Sequence, residues 1–199
     1  MKRKKRRRRA KTSVNRLVLG LVSLNLIVSI WTLRSANQRL TLYAGHETLI
    51  FVGQISHAAQ AVAQKKKLYS SVMMAQAILE SNNGKSQLSQ KPYYNFFGIK
   101  GNYKGRSVIF PTLEDDGQGN FYQIDDAFRS YGSLTACFED YARILSNPLY
   151  DKTHKKFWSH YQDATATLTG TYATDTTYHT KLNELIDLYQ LTYFDSPMK

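Results

Sequence analysis

Residues 72–80 read Val-Met-Met-Ala-Gln-Ala-Ile-Leu-Glu, a stretch in which almost every side chain is apolar or small. Wound into a helix it has no polar face, and a helix that is apolar all round is a buried one. Ser70 or Ser71 stands where an N-cap belongs, and Ser81-Asn82-Asn83-Gly84 ends the pattern at once. The rest of the chain must therefore supply a shell around this segment. Glu80 is its last residue, and a carboxyl at the rim of a core faces a cleft. Partial desolvation there favours the neutral acid, the property required of a general acid near neutral pH. A solvated glutamate at a helix end accounts for the same pattern equally well.

The shell can be read from periodicity. Phe51, Ile55, Ala58, Ala59 and Val62 recur at helical spacing and predict an amphipathic helix ahead of the apolar one. Over residues 92–126 the 3.6 period disappears and glycines stand at 98, 101, 105, 117 and 119. The pieces Ser107-Val108-Ile109-Phe110 and Phe121-Tyr122-Gln123-Ile124 predict a β-hairpin turning over residues 115–120. Leu134, Cys137, Phe138, Tyr141, Ala142 and Leu145 restore a helix that stops at Asn147-Pro148. A short helix is expected from Asp163, and a last one through Tyr178, Leu182, Leu185, Ile186 and Tyr189. With 42% hydrophobic and 13% aromatic content, the material suffices for one core. The expected fold class is α+β: one mainly helical domain, residues 46–195, with a small hairpin lobe inserted after its second helix.

The formal charge of +12 invites a nucleic-acid reading, but the charge is not spread over the chain. Ten of the 27 Lys and Arg lie in the first 16 residues, no acid precedes Glu47, and the other 17 bases face 15 acids. A nearly neutral domain is a poor polyanion clamp, so no nucleic-acid partner is expected. Residues 17–33 carry no charge, and Arg34 closes the stretch. As a helix they would cover roughly 25 Å, near the lower limit for a hydrocarbon core of about 30 Å. The expectation is a basic cytoplasmic tail (1–16), a transmembrane signal anchor (17–33) and a linker (34–45), with the domain outside the cell. A cleavable signal peptide has a shorter apolar core, and Leu42-Tyr43-Ala44 is a weak cleavage match. A nuclear-localisation or DNA-binding arm is disfavoured by the apolar run behind residues 2–9.

Cys137 is the only cysteine, so no intramolecular disulfide is possible, and its place in an apolar helical stripe predicts a buried structural thiol. The five histidines show no paired ligand spacing, and neither metal nor cofactor is expected. Glycoside cleavage usually needs a second carboxylate across the substrate. Glu114, Asp115, Asp116, Asp125 and Asp126 are candidates, and composition does not choose among them. Tyr93, Tyr94, Phe96, Phe97, Tyr103 and Tyr122 could stack on sugar faces. Core packing explains many of these rings as well, and for Phe96 and Phe97 it comes first.

Taken in order, several segments resemble one family. They are Ser71-Val72-Met73-Met74-Ala75-Gln76-Ala77-Ile78-Leu79-Glu80-Ser81, Gly84-Lys85-Ser86, Asn95-Phe96-Phe97-Gly98-Ile99-Lys100-Gly101 and Thr112-Leu113-Glu114. Phe128-Arg129-Ser130-Tyr131, Asp140-Tyr141, and Tyr172-Ala173-Thr174-Asp175 with Tyr178 and Lys181-Leu182 follow. The chain resembles, over residues 50–195, the glucosaminidases of bacterial autolysins, glycoside hydrolase family 73. The resemblance implies a lysozyme-like fold and a peptidoglycan glycan strand as substrate. It implies Glu80 as catalytic acid and Glu114 as second carboxylate, with the substrate's acetamido group able to assist. Tyr172 and Tyr178, and with them Asn95, Phe97 and Tyr94, are the implied substrate-binding positions. Many relatives place Trp where this chain has Asn83, which removes one sugar-stacking surface. A muramidase or lytic transglycosylase on the same scaffold, and a non-catalytic wall-binding protein, are the competing readings.

Overall fold

The helix over residues 45–66, here α1, buries Phe51, Val52, Ile55, Ala59, Val62 and Ala63. That is the stripe expected from its spacing, with Ala58 half-buried at its edge. The computed structural model describes residues 45–115, 121–156 and 159–197, omitting the side chains of residues 113–115 and 121. The expected tail and anchor, the linker up to residue 44, and Asp116 lie outside the described residues. Among the described residues no helix is long and apolar enough to cross a membrane. Residues Glu47–Lys199 form one compact unit.

Helix α2, Ser70–Ser81, is the axis of that unit. Every side chain from Ser70 to Ile78 is buried, with only Leu79 and Glu80 emerging at its end. The cap differs from expectation. Ser70 and Ser71 both lie inside the helix, and Tyr69 holds the cap position with no capping bond from its side chain. A distant carboxylate does the capping: Asp195 accepts from the Ser71 amide at 3.0 Å and the Ser71 hydroxyl at 2.7 Å. An acid at a helix N-terminus complements both the unsatisfied amides and the helix dipole. A partner 124 residues away leaves no local signal.

The hairpin is longer than predicted. Strand β1, Ser107–Asp115, pairs antiparallel with β2, Phe121–Arg129, in unbroken register from Ser107 opposite Arg129 to Asp115 opposite Phe121. Pro111 sits within β1, which a two-stranded sheet tolerates because both strands are edges. Helix α3, Leu134–Ile144, follows from Ser133, whose hydroxyl accepts the Ala136 amide at 3.2 Å. Helix α4, Tyr161–Leu168, starts two residues before Asp163, whose carboxylate instead reaches back to the His160 amide at 2.9 Å. Helix α5, Tyr178–Leu188, and a 3-10 turn, Leu191–Asp195, close the chain against α2. The result is a helical lobe with a two-stranded β-lobe, the α+β arrangement that a lysozyme-like fold calls for.

One cluster ties the lobes together. Asp140 of α3, 3% exposed, accepts from Arg129 of β2 at 2.6 Å, Tyr131 at 2.8 Å and Arg143 at 2.6 Å. Burial pushes this carboxyl up, but the bonds from Arg143, Arg129 and Tyr131 outweigh it and hold the pKa below the usual range. A depressed native pKa gives stability that is complete above the ordinary carboxylate pKa and is lost as pH falls through the native value. Arg143 is two-thirds exposed, so solvent screens one side of the cluster. Asp140→Asn is expected to cost about 2–3 kcal/mol at neutral pH. In thermal unfolding, the gap between the two proteins should close as the pH drops below about 4.

Candidate functional site

The end of α2 is held rigidly where Glu80 emerges. Asn82, Asn83 and Gly84 take left-handed backbone angles, with φ of 50°, 57° and 72°. The Ser81 hydroxyl donates to the Ala77 carbonyl at 2.5 Å and accepts the Gly84 amide at 2.7 Å. A Cβ on Gly84 would stand 2.5 Å from the Phe51 ring of α1, so both conformation and packing demand glycine there. The half-buried Asn83 suits its left-handed backbone, which asparagine tolerates far better than a bulky ring.

Glu80 keeps part of its surface in solvent, but its carboxyl is crowded by protein. Burial raises its pKa, and a hydrogen bond from Tyr178 opposes that only in part. The Tyr178 hydroxyl donates to Oε1 at 2.5 Å. Behind it, Gln76 Nε2 donates to the Tyr178 oxygen at 3.0 Å, and the Tyr141 hydroxyl donates to Gln76 Oε1. Among the described residues no Lys or Arg pairs with Glu80. Its neighbours are phenols whose own pKa values burial pushes up, Tyr178, Tyr141 and Tyr172 among them. A carboxyl so placed can carry a proton to higher pH than a solvated one and release it toward the open side.

The other expected positions divide sharply. Tyr172 stacks on Tyr178, with centroids 6.3 Å apart and planes at 17°, and its hydroxyl is committed to the Phe97 carbonyl at 2.9 Å. It walls the site without bonding Glu80. Tyr178 is 3% exposed and bonds the acid directly. Asn95 and Phe97, expected at the substrate, are 1% and 2% exposed and are not presented to a groove. Asn95 donates to the carbonyls of Ile99 and Arg129 and accepts the Ile99 amide, pinning the loop to β2. Phe97 stacks on Tyr141 at 4.1 Å and meets Phe138 at 5.1 Å, as core packing predicts. Tyr94 is half-buried against the core with φ of 52°. Cys137 is fully buried, and burial raises its thiol pKa strongly.

On the hairpin, Glu114 stands in register with Tyr122, and Asp125 with Pro111. Asp126 is paired with Lys100 at 3.0 Å, a bond that lowers its pKa. Of the candidate sugar-stacking rings, Tyr122 is half-exposed, while Tyr93 meets Phe110 edge-on and Tyr103 packs on Tyr131 at 4.7 Å. Asp175 of the Tyr172–Asp175 segment accepts the amide and hydroxyl of Thr177 and pairs with Lys181, which fixes the start of α5 and so the placement of Tyr178.

Gln76 carries a sequence signal of its own: a lone amide among apolar side chains, four residues before Glu80 and so on the same helix face. A groove of about 520 Å³ between α1 and α3 does not belong to this site. Its α3 lining residues, Thr135, Glu139 and Arg143, lie on the face opposite Tyr141. Among the described residues no group of three or more His, Cys, Asp or Glu could hold a metal ion.

The chain is 47% identical over 158 residues to the probable N-acetylmuramidase of Lactococcus lactis subsp. cremoris, covering 76% of this chain and 36% of that protein. It is 34% identical over 154 residues to the exo-glucosaminidase LytG of Bacillus subtilis, covering 75% and 54%. It thus spans about a third of the first relative and about half of the second. The crystal structure of the catalytic domain of the autolysin Auto from Listeria monocytogenes superposes with a TM-score of 0.70 at 45% identity, covering 75% of this chain and 88% of that one. The family described as mannosyl-glycoprotein endo-beta-N-acetylglucosaminidase matches residues 56–191. The chain belongs to that glucosaminidase family.

Proposed function

We propose that this protein is a peptidoglycan hydrolase that cleaves the glycan strand as a β-N-acetylglucosaminidase, with Glu80 as its general acid. The observation that carries the reading is the Glu80 carboxyl itself, with its pKa raised by burial and Oε1 bonded, among the described residues, to a phenol and not to a cation. Protonated Glu80 gives its hydrogen to the glycosidic oxygen as the bond to the anomeric carbon breaks. The carboxylate left behind is stabilised by Tyr178, and positive charge builds on the sugar ring. Glu114, or the substrate's own acetamido group, then supports the opposite face and the entry of water.

Purified full-length chain is expected to release soluble muropeptides from peptidoglycan, and Glu80→Gln, which keeps the shape but removes the proton, to lose activity by orders of magnitude. The same assay across pH should show activity falling as pH rises through the elevated Glu80 value, because the acid must be protonated. Equal cutting by the two proteins would remove Glu80 from the chemistry. Binding to the wall without cutting by either would leave a scaffold.

The name of the Lactococcus relative favours a second reading, in which the muramic acid bond is cut. Mass spectrometry of the products separates the two. An N-acetylglucosamine reducing end is expected here, a muramic acid end would establish a muramidase, and a 1,6-anhydro end a lytic transglycosylase.

Residues 17–33 we read as a retained membrane anchor, with the basic tail in the cytoplasm and the domain outside, which would confine cutting to wall near the membrane. Cell fractionation should find the full chain in membranes and extractable only by detergent. Extraction by salt alone would replace the span with electrostatic attachment through residues 2–9.

A further inference from the structure

Glu80 does not meet Tyr178 alone; it ends a directed chain of hydrogen bonds that begins in the core. The Tyr141 side chain is completely buried and its hydroxyl donates to Gln76 Oε1. Gln76, equally buried, therefore turns its Nε2 toward Tyr178 and donates to the phenolic oxygen at 3.0 Å. With its oxygen accepting, the Tyr178 hydroxyl sends its only hydrogen to Glu80 Oε1 at 2.5 Å. The opposite amide orientation would draw the Tyr178 hydrogen to Gln76 and leave an ionised Glu80 without a donor. With Glu80 ionised, only this direction satisfies every member of the chain, and buried polar networks of this kind act as units.

We propose that Gln76 is a positioning residue for the acid: its amide occupies the acceptor side of the Tyr178 hydroxyl, committing that hydrogen to Oε1 of Glu80 and leaving the transferable proton to Oε2. The inference rests on the reading of Glu80 as the general acid. Without the amide, the Tyr178 oxygen is free to accept the Glu80 proton itself, which would hold that proton on the inner oxygen, away from the substrate. The titratable groups coupled to Glu80 among the described residues are Tyr141 of α3, Tyr172 of the loop before α5, and Tyr178 of α5, with Cys137 coupled to Tyr172. None of the four is cationic in either protonation state, so the hydrogen-bond chain, not a charge, sets the preference.

The test is direct titration of the Glu80 carboxyl by carbon-13 NMR in the full chain in detergent, the resonance being assigned by its loss in Glu80→Gln. In wild type Tyr178 favours the ionised form, so Tyr178→Phe should move the midpoint up. Gln76→Met should move it in the same direction by about half a pH unit or more. In Gln76→Met/Tyr178→Phe the midpoint should stand no higher than in Tyr178→Phe, since the amide acts through the phenol. An unchanged midpoint in Gln76→Met, or additive shifts in the double variant, would overturn the proposal.

Gln76→Met also strands the buried Tyr141 hydroxyl, so Gln76→Met/Tyr141→Phe, which removes both partners, guards against loss of folding. It should recover thermal stability and keep the raised midpoint. Recovered stability with a wild-type midpoint would make Gln76 merely structural. A wild type that follows this titration pattern but cuts no peptidoglycan would sink the hydrolase reading alone.

Discussion

The burial of α2 governs everything else in this domain. Nine consecutive residues, Ser70 to Ile78, have no solvent face, so elements must close on the helix from all sides: α4 and α5 pack against it, α3 reaches it through Tyr141, the final 3-10 turn caps it through Asp195, and Phe51 and Ile55 of α1 share its core. Each fully buried aliphatic or aromatic side chain in such a core is worth about 1.5–3 kcal/mol. Gln76 is the one buried amide side chain of the helix, and its place there is productive. A buried amide must be satisfied, and the two groups that satisfy it come from α3 and α5. The core thereby aligns the phenol that reaches Glu80.

The site draws its character from what surrounds the acid. A cation beside Glu80 would favour the carboxylate at all working pH values and leave no proton to transfer. Phenols give hydrogen bonds without bringing charge, so burial can raise the pKa while one donor tempers it. Asp140 shows the opposite design in the same molecule. Two guanidinium groups and a phenol converge on it, its pKa goes down, and it serves to fasten β2 to α3. Similar carboxyls, one crowded by phenols and one clasped by arginines, are shifted in opposite directions.

Motif residues do not all work at the chemistry. Asn95 and Phe97 belong to one of the segments that resemble the family, and the structure buries both, the first as a clasp for the loop onto β2 and the second as a ring stacked on Tyr141. Asp175, in the segment that carries Tyr172, fixes the start of α5. A motif marks a place where geometry is exacting. Whether the residue touches substrate or holds the one that does is a matter of which way its side chain turns, and spacing does not record that.

The amino-acid sequence by itself determined that a nine-residue apolar helix must be buried, that Glu80 stands at its exit, that a hairpin interrupts the helices, and that positive charge belongs to the N-terminal tail and not to the domain. These follow from periodicity and composition, which are local. The tertiary structure decided which partners each polar group finds. Asp195 caps a helix 124 residues away, Tyr178 crosses 98 residues to reach Glu80, and Tyr141 crosses 65 to orient Gln76. Hydrogen bonds have direction and reach only about 3 Å, so they form where folding happens to deliver the atoms. Hydrophobic burial has neither restriction, which is why the core was legible in the sequence and the wiring of the acid was not.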